Sequence, residues 1–188
     1  MIQEKISNNV LSQVINQSGS SFFGLGIAPK ILDILEKMKF KVPTPIQLKA
    51  IPMALEGKDI IGIAQTGTGK THSFAIPIVQ RLLQIKGKAL VLAPTRELAI
   101  QIDEAFQGIA RPFGMKTACL IGGASMYFQI QSLRRNFRIV SATPGRLIDH
   151  IQQKNIYLDD VCILVLDEAD RMLDMGFAPQ IEQIFRYI

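Results

Sequence analysis

The sequence predicts an α/β fold in which a mostly parallel β-sheet is covered by helices on both faces. Short runs of β-branched and aliphatic residues alternate with longer segments whose apolar residues recur at helical spacing. The segments between the runs are long enough for the crossover connections that parallel strands require. Ligands of such sheets bind beyond the carboxyl ends of the strands, so polar motifs that directly follow a run are the candidates for function.

The individual elements follow from this periodicity. Strands are predicted for the aliphatic runs Asp59–Ala64, Ala89–Ala93, Thr117–Ile121, Arg138–Ala142 and Cys162–Leu166. Helices are predicted over Pro29–Met38, Pro45–Glu56, Glu97–Ala110 and Pro144–Gln153, and from His72 onward. Residues 1–17 have apolar residues near helical spacing before a Ser/Gly break, so residues 1–21 are expected to be a helical or flexible extension. One domain is expected over residues 22–188.

The composition suits one globular domain with an anionic partner. The chain has 188 residues, of which 48% are hydrophobic, and 21 Lys and Arg against 16 Asp and Glu leave a formal charge of +5. This charge favours a polyanion but does not establish one. No apolar run approaches the roughly 18 residues of a spanning helix, and the N-terminus lacks a secretory leader. We therefore expect a cytoplasmic protein without a membrane role. It is also expected to be monomeric.

The two cysteines, Cys119 and Cys162, lie in apolar runs without CxxC spacing or a histidine cluster. This pattern does not favour a metal site. Buried, reduced thiols are expected.

A phosphate-binding loop is predicted at Ala64–Thr71, between the first aliphatic run and a helical segment. Gly67 and Gly69 allow the backbone to point successive N–H groups at phosphate oxygens, and the following helix N-terminus adds partial positive charge. Lys70 is suited to neutralise the β- and γ-phosphates, and the hydroxyl of Thr71 to bind Mg²⁺. The general pattern requires glycine at position 64. The alternative is an ordinary Gly/Thr turn with a solvated lysine.

An acidic pair follows the last aliphatic run. Asp167 is placed to hold Mg²⁺, because that ion prefers oxygen ligands, and Glu168 to orient and deprotonate an attacking water. The alternative is a capped helix start, which Asp170 or Asp174 could also provide.

The tetrapeptide Asp167-Glu168-Ala169-Asp170 is the one that names the DEAD-box family of ATP-dependent RNA helicases, and the chain resembles the N-terminal RecA-like domain of bacterial-type members. In that family the leading alanine of the phosphate loop is normal. The resemblance covers residues 22–188. It implies ATP and Mg²⁺ as cofactors, nucleotide contacts from Ala64, Gln65, Thr66, Gly67, Thr68, Gly69, Lys70 and Thr71, and a coupling role between motifs for Asp170.

Residues 22–47 resemble the family's Q motif, with Phe22 as its upstream aromatic residue. The resemblance implies that Phe40 stacks on adenine and that Gln47 hydrogen-bonds to it, since an amide complements adenine N6–H and N7. ATP is therefore expected rather than GTP. The family usually has glycine where Lys39 stands.

Three further loops resemble the family's RNA-binding motifs. They follow successive predicted strands and contain Thr95 and Arg96, then Gly122 and Gly123, then Thr143, Pro144, Gly145 and Arg146. Hydroxyl, guanidinium and backbone N–H groups at such positions contact phosphates without reading sequence. RNA is thus the expected partner.

The family's second RecA-like lobe is the other expected partner. Ser141-Ala142-Thr143 has the sequence of the family's coupling motif, but it precedes the DEAD tetrapeptide and is expected to belong to the Thr143–Arg146 loop. The coupling motif and the second lobe are therefore expected beyond Ile188. The lobe carries arginines that stabilise the transition state, so the chain alone is expected to bind ATP with little turnover. The alternatives are a single-lobe, nucleotide-switched module that binds RNA or protein, and a P-loop ATPase acting on DNA or protein.

Several isolated residues are expected to be structural. His72 should face away from the phosphates, and His150 should complement a helix dipole. Met172, Met175 and Phe177 are expected to pack in the core or against the second lobe.

Overall fold

A computed structural model describes residues 21–65 and 67–188 of the chain. The helical pattern predicted over residues 1–17 lies outside this range, as does Thr66. The described residues fall into two compact units, which meet in sequence between Pro77 and Ile78. They form these α-helices: α1 (Pro29–Lys37), α2 (Pro45–Leu55), α3 (Lys70–Gln84), α4 (Arg96–Ala110), α5 (Met126–Leu133), α6 (Pro144–Gln152), α7 (Ala169–Asp174) and α8 (Ala178–Phe185).

The first unit contains α1, α2 and the start of α3. Both α1 and α2 have proline in their first turn, where the missing N–H costs no helical hydrogen bond. Ile31 and Leu35 of α1 lie one turn apart, and both are buried.

The prediction of a strand at Asp59–Ala64 is wrong, because these residues form no strand in the structure. Ile61 and Ile63 are each 94% exposed. A run of β-branched residues becomes a strand only where a neighbouring strand supplies its hydrogen bonds and packing, so composition alone did not decide this segment.

The second unit contains a parallel sheet with the strand order β2-β3-β1-β4. Its strands confirm the other four predicted runs: β1 (Lys88–Leu92), β2 (Lys116–Leu120), β3 (Phe137–Ala142) and β4 (Val161–Leu166). In register, Ala142 pairs with Leu92 and with Leu120, and Leu92 pairs with Leu166. All four strands therefore end at one edge, where the loops with the predicted motifs begin.

Helices cover both faces of this sheet, as predicted. On one face the strand residues Leu90 and Val140 form a core with Leu147 of α6 and Ile184 of α8. On the other face α4 packs against β2 and β3 and buries Ile102, Phe106 and Ile109. The alternation of side chains along each strand separates these two layers.

The cysteine prediction is wrong for one residue. Both thiols are free, but Cys119 is only half-buried and Cys162 is exposed. Cys162 lies on β4, the last strand of the described sheet, where alternate residues are exposed. An outermost strand has a neighbouring strand on one side only, so its side chains can be exposed even where the sequence is apolar.

The residues after the DEAD tetrapeptide differ in burial. Met172 is fully buried in the core and Phe177 packs against that core, whereas Met175 is 50% exposed. Core packing is thus confirmed for Met172 and Phe177 only. Among the described residues, no helix has both the length and the apolar character to cross a membrane.

Candidate functional site

The predicted phosphate loop ends in a tight turn that leads into α3. Gly67 and Gly69 have φ values of 80° and 85°, in the left-handed region that glycine adopts without a steric penalty. Lys70 begins the helix, and the Ser73 N–H donates to the Gly69 carbonyl at 3.2 Å. Glycine turns and a helix N-terminus together present backbone N–H groups suited to bind an anion.

Gln47 lies against this loop and is only 2% exposed. Its Oε1 accepts a hydrogen bond from the Thr44 N–H at 3.0 Å, and its Nε2 donates to the Gly69 carbonyl at 3.1 Å. A Cβ atom at Gly69 would lie 2.6 Å from Gln47 Nε2, so glycine is required there also for close packing. An amide has two N–H groups and two lone pairs, which leaves it one of each for adenine.

Phe40, the predicted adenine-stacking residue, contacts His72 with ring centroids 4.4 Å apart and planes at 47°. Burial lowers the pKa of His72, and its Nε2 is buried without a hydrogen-bond partner. Sequence reasoning missed this pair, because nothing in the pattern links positions so far apart. Phe22 is only 4% exposed, and its role in nucleotide binding stays a prediction.

Lys39 has a φ of 64°. This left-handed conformation explains why glycine suits the position before the aromatic residue. A non-glycine residue pays about 1–2 kcal/mol in this region.

The DEAD segment begins at the end of β4. The Asp167 N–H donates to the Leu92 carbonyl at 2.9 Å, which extends the β1–β4 pairing by one residue. Asp167 is 8% exposed, and its Oδ1 accepts a hydrogen bond from the Glu168 N–H at 3.0 Å. The main chain thus fixes this carboxylate at the sheet edge.

Glu168 has a left-handed backbone, with φ 50° and ψ 49°, and precedes helix α7. Its Oε2 accepts a hydrogen bond from Arg171 Nη1 at 3.1 Å. Asp170 is exposed in the first turn of α7, where an acidic residue complements the helix dipole. Strained backbone at a non-glycine residue is a feature of functional sites.

The predicted RNA-binding residues of the second unit lie on loops at the same sheet edge. Thr95 caps α4 by accepting a hydrogen bond from the Leu98 N–H at 3.2 Å, and the Thr143 N–H donates to the Leu120 carbonyl at 3.0 Å. Pro144 begins α6, and Gly145 is exposed in its first turn. The structure therefore brings the three loops predicted to bind RNA to one edge.

Arg96 and Arg146 both contact the loop of the glycine doublet. The Arg96 guanidinium lies so close to Gly123 that a Cβ atom there would overlap Nη1. Arg146 Nη1 donates to the Ala124 carbonyl at 3.1 Å, and Arg146 also pairs with Asp149 at 3.5 Å. Two guanidinium groups, from α4 and α6, thus meet at the Gly122–Gly123 turn.

The prediction that His150 complements a helix dipole is wrong. The side chain is fully buried, and burial lowers its pKa, assisted by the positive charge of Arg146 and opposed by Asp149. A neutral imidazole cannot act as the helix's positive counter-charge. Its ring instead contacts Gln129 at 3.1 Å, a buried residue that sequence reasoning did not single out.

The motifs and the fold agree with the comparisons to known proteins. The family model described as DEAD/DEAH box helicase matches residues 44–188. ATP-dependent rRNA helicase RRP3 of Debaryomyces hansenii is 46% identical over 192 residues, which covers 99% of this chain and 40% of the relative. The RRP3 protein of Candida albicans is 49% identical over 171 residues, which covers 89% and 32% of the two chains.

Solved structures give the same result. A DEAD box protein from the hyperthermophile Methanococcus jannaschii matches with a TM-score of 0.82 and 40% identity, covering 89% of this chain and 46% of that one. The RNA helicase Prp28 from Chaetomium thermophilum, solved with ADP, matches with a TM-score of 0.82 and 39% identity, covering 87% and 42%.

The chain therefore belongs to the DEAD/DEAH box helicase family and has its RecA-like fold. It spans about a third to two fifths of the length of the curated relatives it matches. The relatives named above are fungal and archaeal, and the bacterial-type resemblance stays a prediction.

Proposed function

We propose that this chain is the ATP- and Mg²⁺-binding lobe of an ATP-dependent RNA helicase, which unwinds or remodels short RNA duplexes together with a second RecA-like lobe. The observation that carries the proposal is the contact of Gln47 with the Gly69 carbonyl, because it joins the adenine-recognition motif to the phosphate loop. The buried amide of Gln47 thus lies between the residues proposed to bind the base and those proposed to bind the phosphates.

Nucleotide binding is assigned to the Q motif and the phosphate loop, which both belong to the first unit. Phe40 stacks on adenine and Gln47 hydrogen-bonds to it, while the backbone from Ala64 to Thr71 cradles the phosphates and Lys70 neutralises their charge. The relative Prp28 was solved with ADP, which supports a nucleotide ligand of this kind.

Mg²⁺ and hydrolysis are assigned to Thr71, Asp167 and Glu168. The Thr71 hydroxyl and the Asp167 carboxylate are hard oxygen donors of the kind that Mg²⁺ prefers, so each is chemically suited to be a ligand. When bound, Mg²⁺ neutralises charge on the phosphates. Glu168 orients the attacking water and accepts its proton.

RNA binding is assigned to the loops that carry Arg96, Gly122–Gly123 and Arg146. Guanidinium and backbone groups bind phosphates irrespective of sequence, so the lobe holds RNA weakly and without base preference. Monomeric state, cytoplasmic location and the coupling role of Asp170 stay predictions.

The proposal is tested by ATPase assays with and without RNA, on this chain alone and joined to a second lobe. We expect little turnover by the chain alone, since arginine fingers contribute on the order of 10³–10⁵ in rate. In the two-lobed protein, Glu168→Gln should abolish turnover and spare ATP binding, whereas Lys70→Ala should weaken binding itself.

Two results would contradict this assignment. Equal turnover by Glu168→Gln and the parent would exclude Glu168 as the base. No RNA-stimulated turnover in the two-lobed protein would favour a nucleotide-switched binding module.

A further inference from the structure

The loop of the glycine doublet is held by one buried side chain. Gln129, on α5, is only 5% exposed. Its Nε2 donates to the Ile121 carbonyl at 3.0 Å and to the Ala124 carbonyl at 3.4 Å. These two carbonyls flank Gly122 and Gly123, so the amide clamps the loop from both sides of the doublet.

The clamped loop also sets the positions of two guanidinium groups. The Ala124 carbonyl accepts from both Gln129 Nε2 and Arg146 Nη1. Arg96 packs on Gly123 without space for a Cβ atom. A change in the backbone conformation of this loop must therefore change the positions of both arginine side chains.

His150 contacts the oxygen end of the Gln129 amide. Asn155 Nδ2 can only donate, and it lies 3.4 Å from His150 Nδ1, which makes Nδ1 the acceptor. In the neutral ring Nε2 then carries the hydrogen, and it lies 3.1 Å from Gln129 Oε1. Since Oε1 receives this hydrogen bond, the NH₂ group of Gln129 faces the two loop carbonyls.

We propose that Gln129 and His150 are positioning residues for RNA binding, which hold the Gly122–Gly123 loop so that Arg96 and Arg146 present their guanidinium groups to the RNA backbone. The inference rests on the proposed function, because it assumes that these arginines contact phosphates. His150 acts through Gln129, and Gln129 acts through the loop.

The main test is Gln129→Met, which keeps the size of the side chain but removes its hydrogen bonds. Gln131→Met, at a half-buried position on the same helix, is the matched control. Affinity for a fluorescent oligo(U) is measured by anisotropy. Gln129→Met should weaken binding about fivefold, as expected for losing one or two positioned hydrogen bonds. The control should bind RNA as the parent does, and both should keep their affinity for a fluorescent ATP analogue.

A double-mutant cycle separates positioning from a general structural effect. If Gln129 acts through Arg146, then Gln129→Met should cost less RNA affinity in an Arg146→Ala background than in the parent. Additive losses would overturn the inference. Backbone amide resonances of Gly122 and Gly123 should shift in Gln129→Met and stay in place in the control.

A second variant covers the case in which Gln129→Met does not fold. His150→Phe keeps a ring and removes both nitrogen atoms, so Gln129 Oε1 loses its buried partner and the amide is held less firmly. We expect weaker RNA binding in this variant as well. Unchanged RNA affinity in the folded variants would overturn the inference while leaving the proposed function intact. If the parent chain bound no RNA, the proposed function would fail together with the inference, and the glycine resonances would still report whether Gln129 holds the loop.

Discussion

The side-chain amide of Gln47 connects the start of helix α2 with the phosphate loop, since Oε1 accepts from the Thr44 N–H and Nε2 donates to the Gly69 carbonyl. The same side chain thus supports a helix N-terminus and a ligand-binding turn. We therefore expect stability and nucleotide affinity to be coupled at this residue.

Replacing Gln47 with leucine should lower both quantities. The free energy of unfolding should fall by about 1–3 kcal/mol, because a buried N–H and carbonyl lose their partner. Affinity for ATP should fall as well, and the preference for ATP over GTP should disappear. Denaturant unfolding and titration with fluorescent nucleotides measure these effects. Gln101→Leu, exposed on α4, is the control and should change neither. An unaltered ATP preference in Gln47→Leu would exclude the adenine contact.

Replacing Lys39 with glycine should stabilise the protein. Its φ of 64° lies in the left-handed region, where relief of strain is worth about 1 kcal/mol. Chemical unfolding of the variant and the parent measures the difference. Lys41→Gly, exposed two residues later, removes the same charge and should give no gain. If both variants changed stability equally, the backbone conformation would not be the cause.

Replacing Arg146 with alanine should weaken RNA binding and reduce its dependence on salt. Each phosphate contact to a single strand contributes about 0.7 to the slope of log K against log salt, so the slope should fall by roughly that amount. Binding to oligo(U) and oligo(A) should weaken equally, since backbone contacts carry no sequence information. Arg134→Ala, exposed beyond the end of α5, is the charge-matched control. An unchanged slope would place Arg146 outside the RNA interface.

Acidification should destabilise the protein partly through His150. Burial first, and Arg146 second, lower its pKa below 6.5, while Asp149 acts in the opposite sense. The unfolded chain therefore binds the proton more readily than the folded one. The stability linked to the neutral ring is fully present above pH 6.5. It is lost as the pH falls through the lower pKa that His150 has in the folded protein.

The measurement is unfolding free energy from pH 8 to pH 5 for the parent and for His150→Phe. The parent should lose more stability than the variant across this range, because only the parent has the buried imidazole whose pKa is lowered. The pKa of His72 is also lowered by burial, but this residue is present in both proteins and its effect cancels. Parallel curves would show that His150 titrates as it does in the unfolded chain.

The helices α1, α2, α3, α4 and α6 and the four confirmed strands could be predicted because their signals are local. Apolar spacing marks the buried face of α1, and proline marks the first turn of α1, α2 and α6. The segment 59–64 shows the limit of such signals. Its residues have high β propensity, but a strand also needs a neighbour, and propensity does not report one.

The sequence by itself determined the order of the motifs, the parallel sheet and the family to which the chain belongs. Periodicity, glycine turns and charged tetrapeptides each involve only a few consecutive residues, so they can be recognised in the sequence alone. Only the tertiary structure decided that Gln47 meets Gly69, that Phe40 meets His72, and that Gln129 and His150 stand behind the glycine doublet. The contacts Gln47–Gly69, Phe40–His72 and Gln129–His150 join residues more than 20 positions apart in the chain. Packing and the need of buried polar groups for hydrogen bonds select these partners.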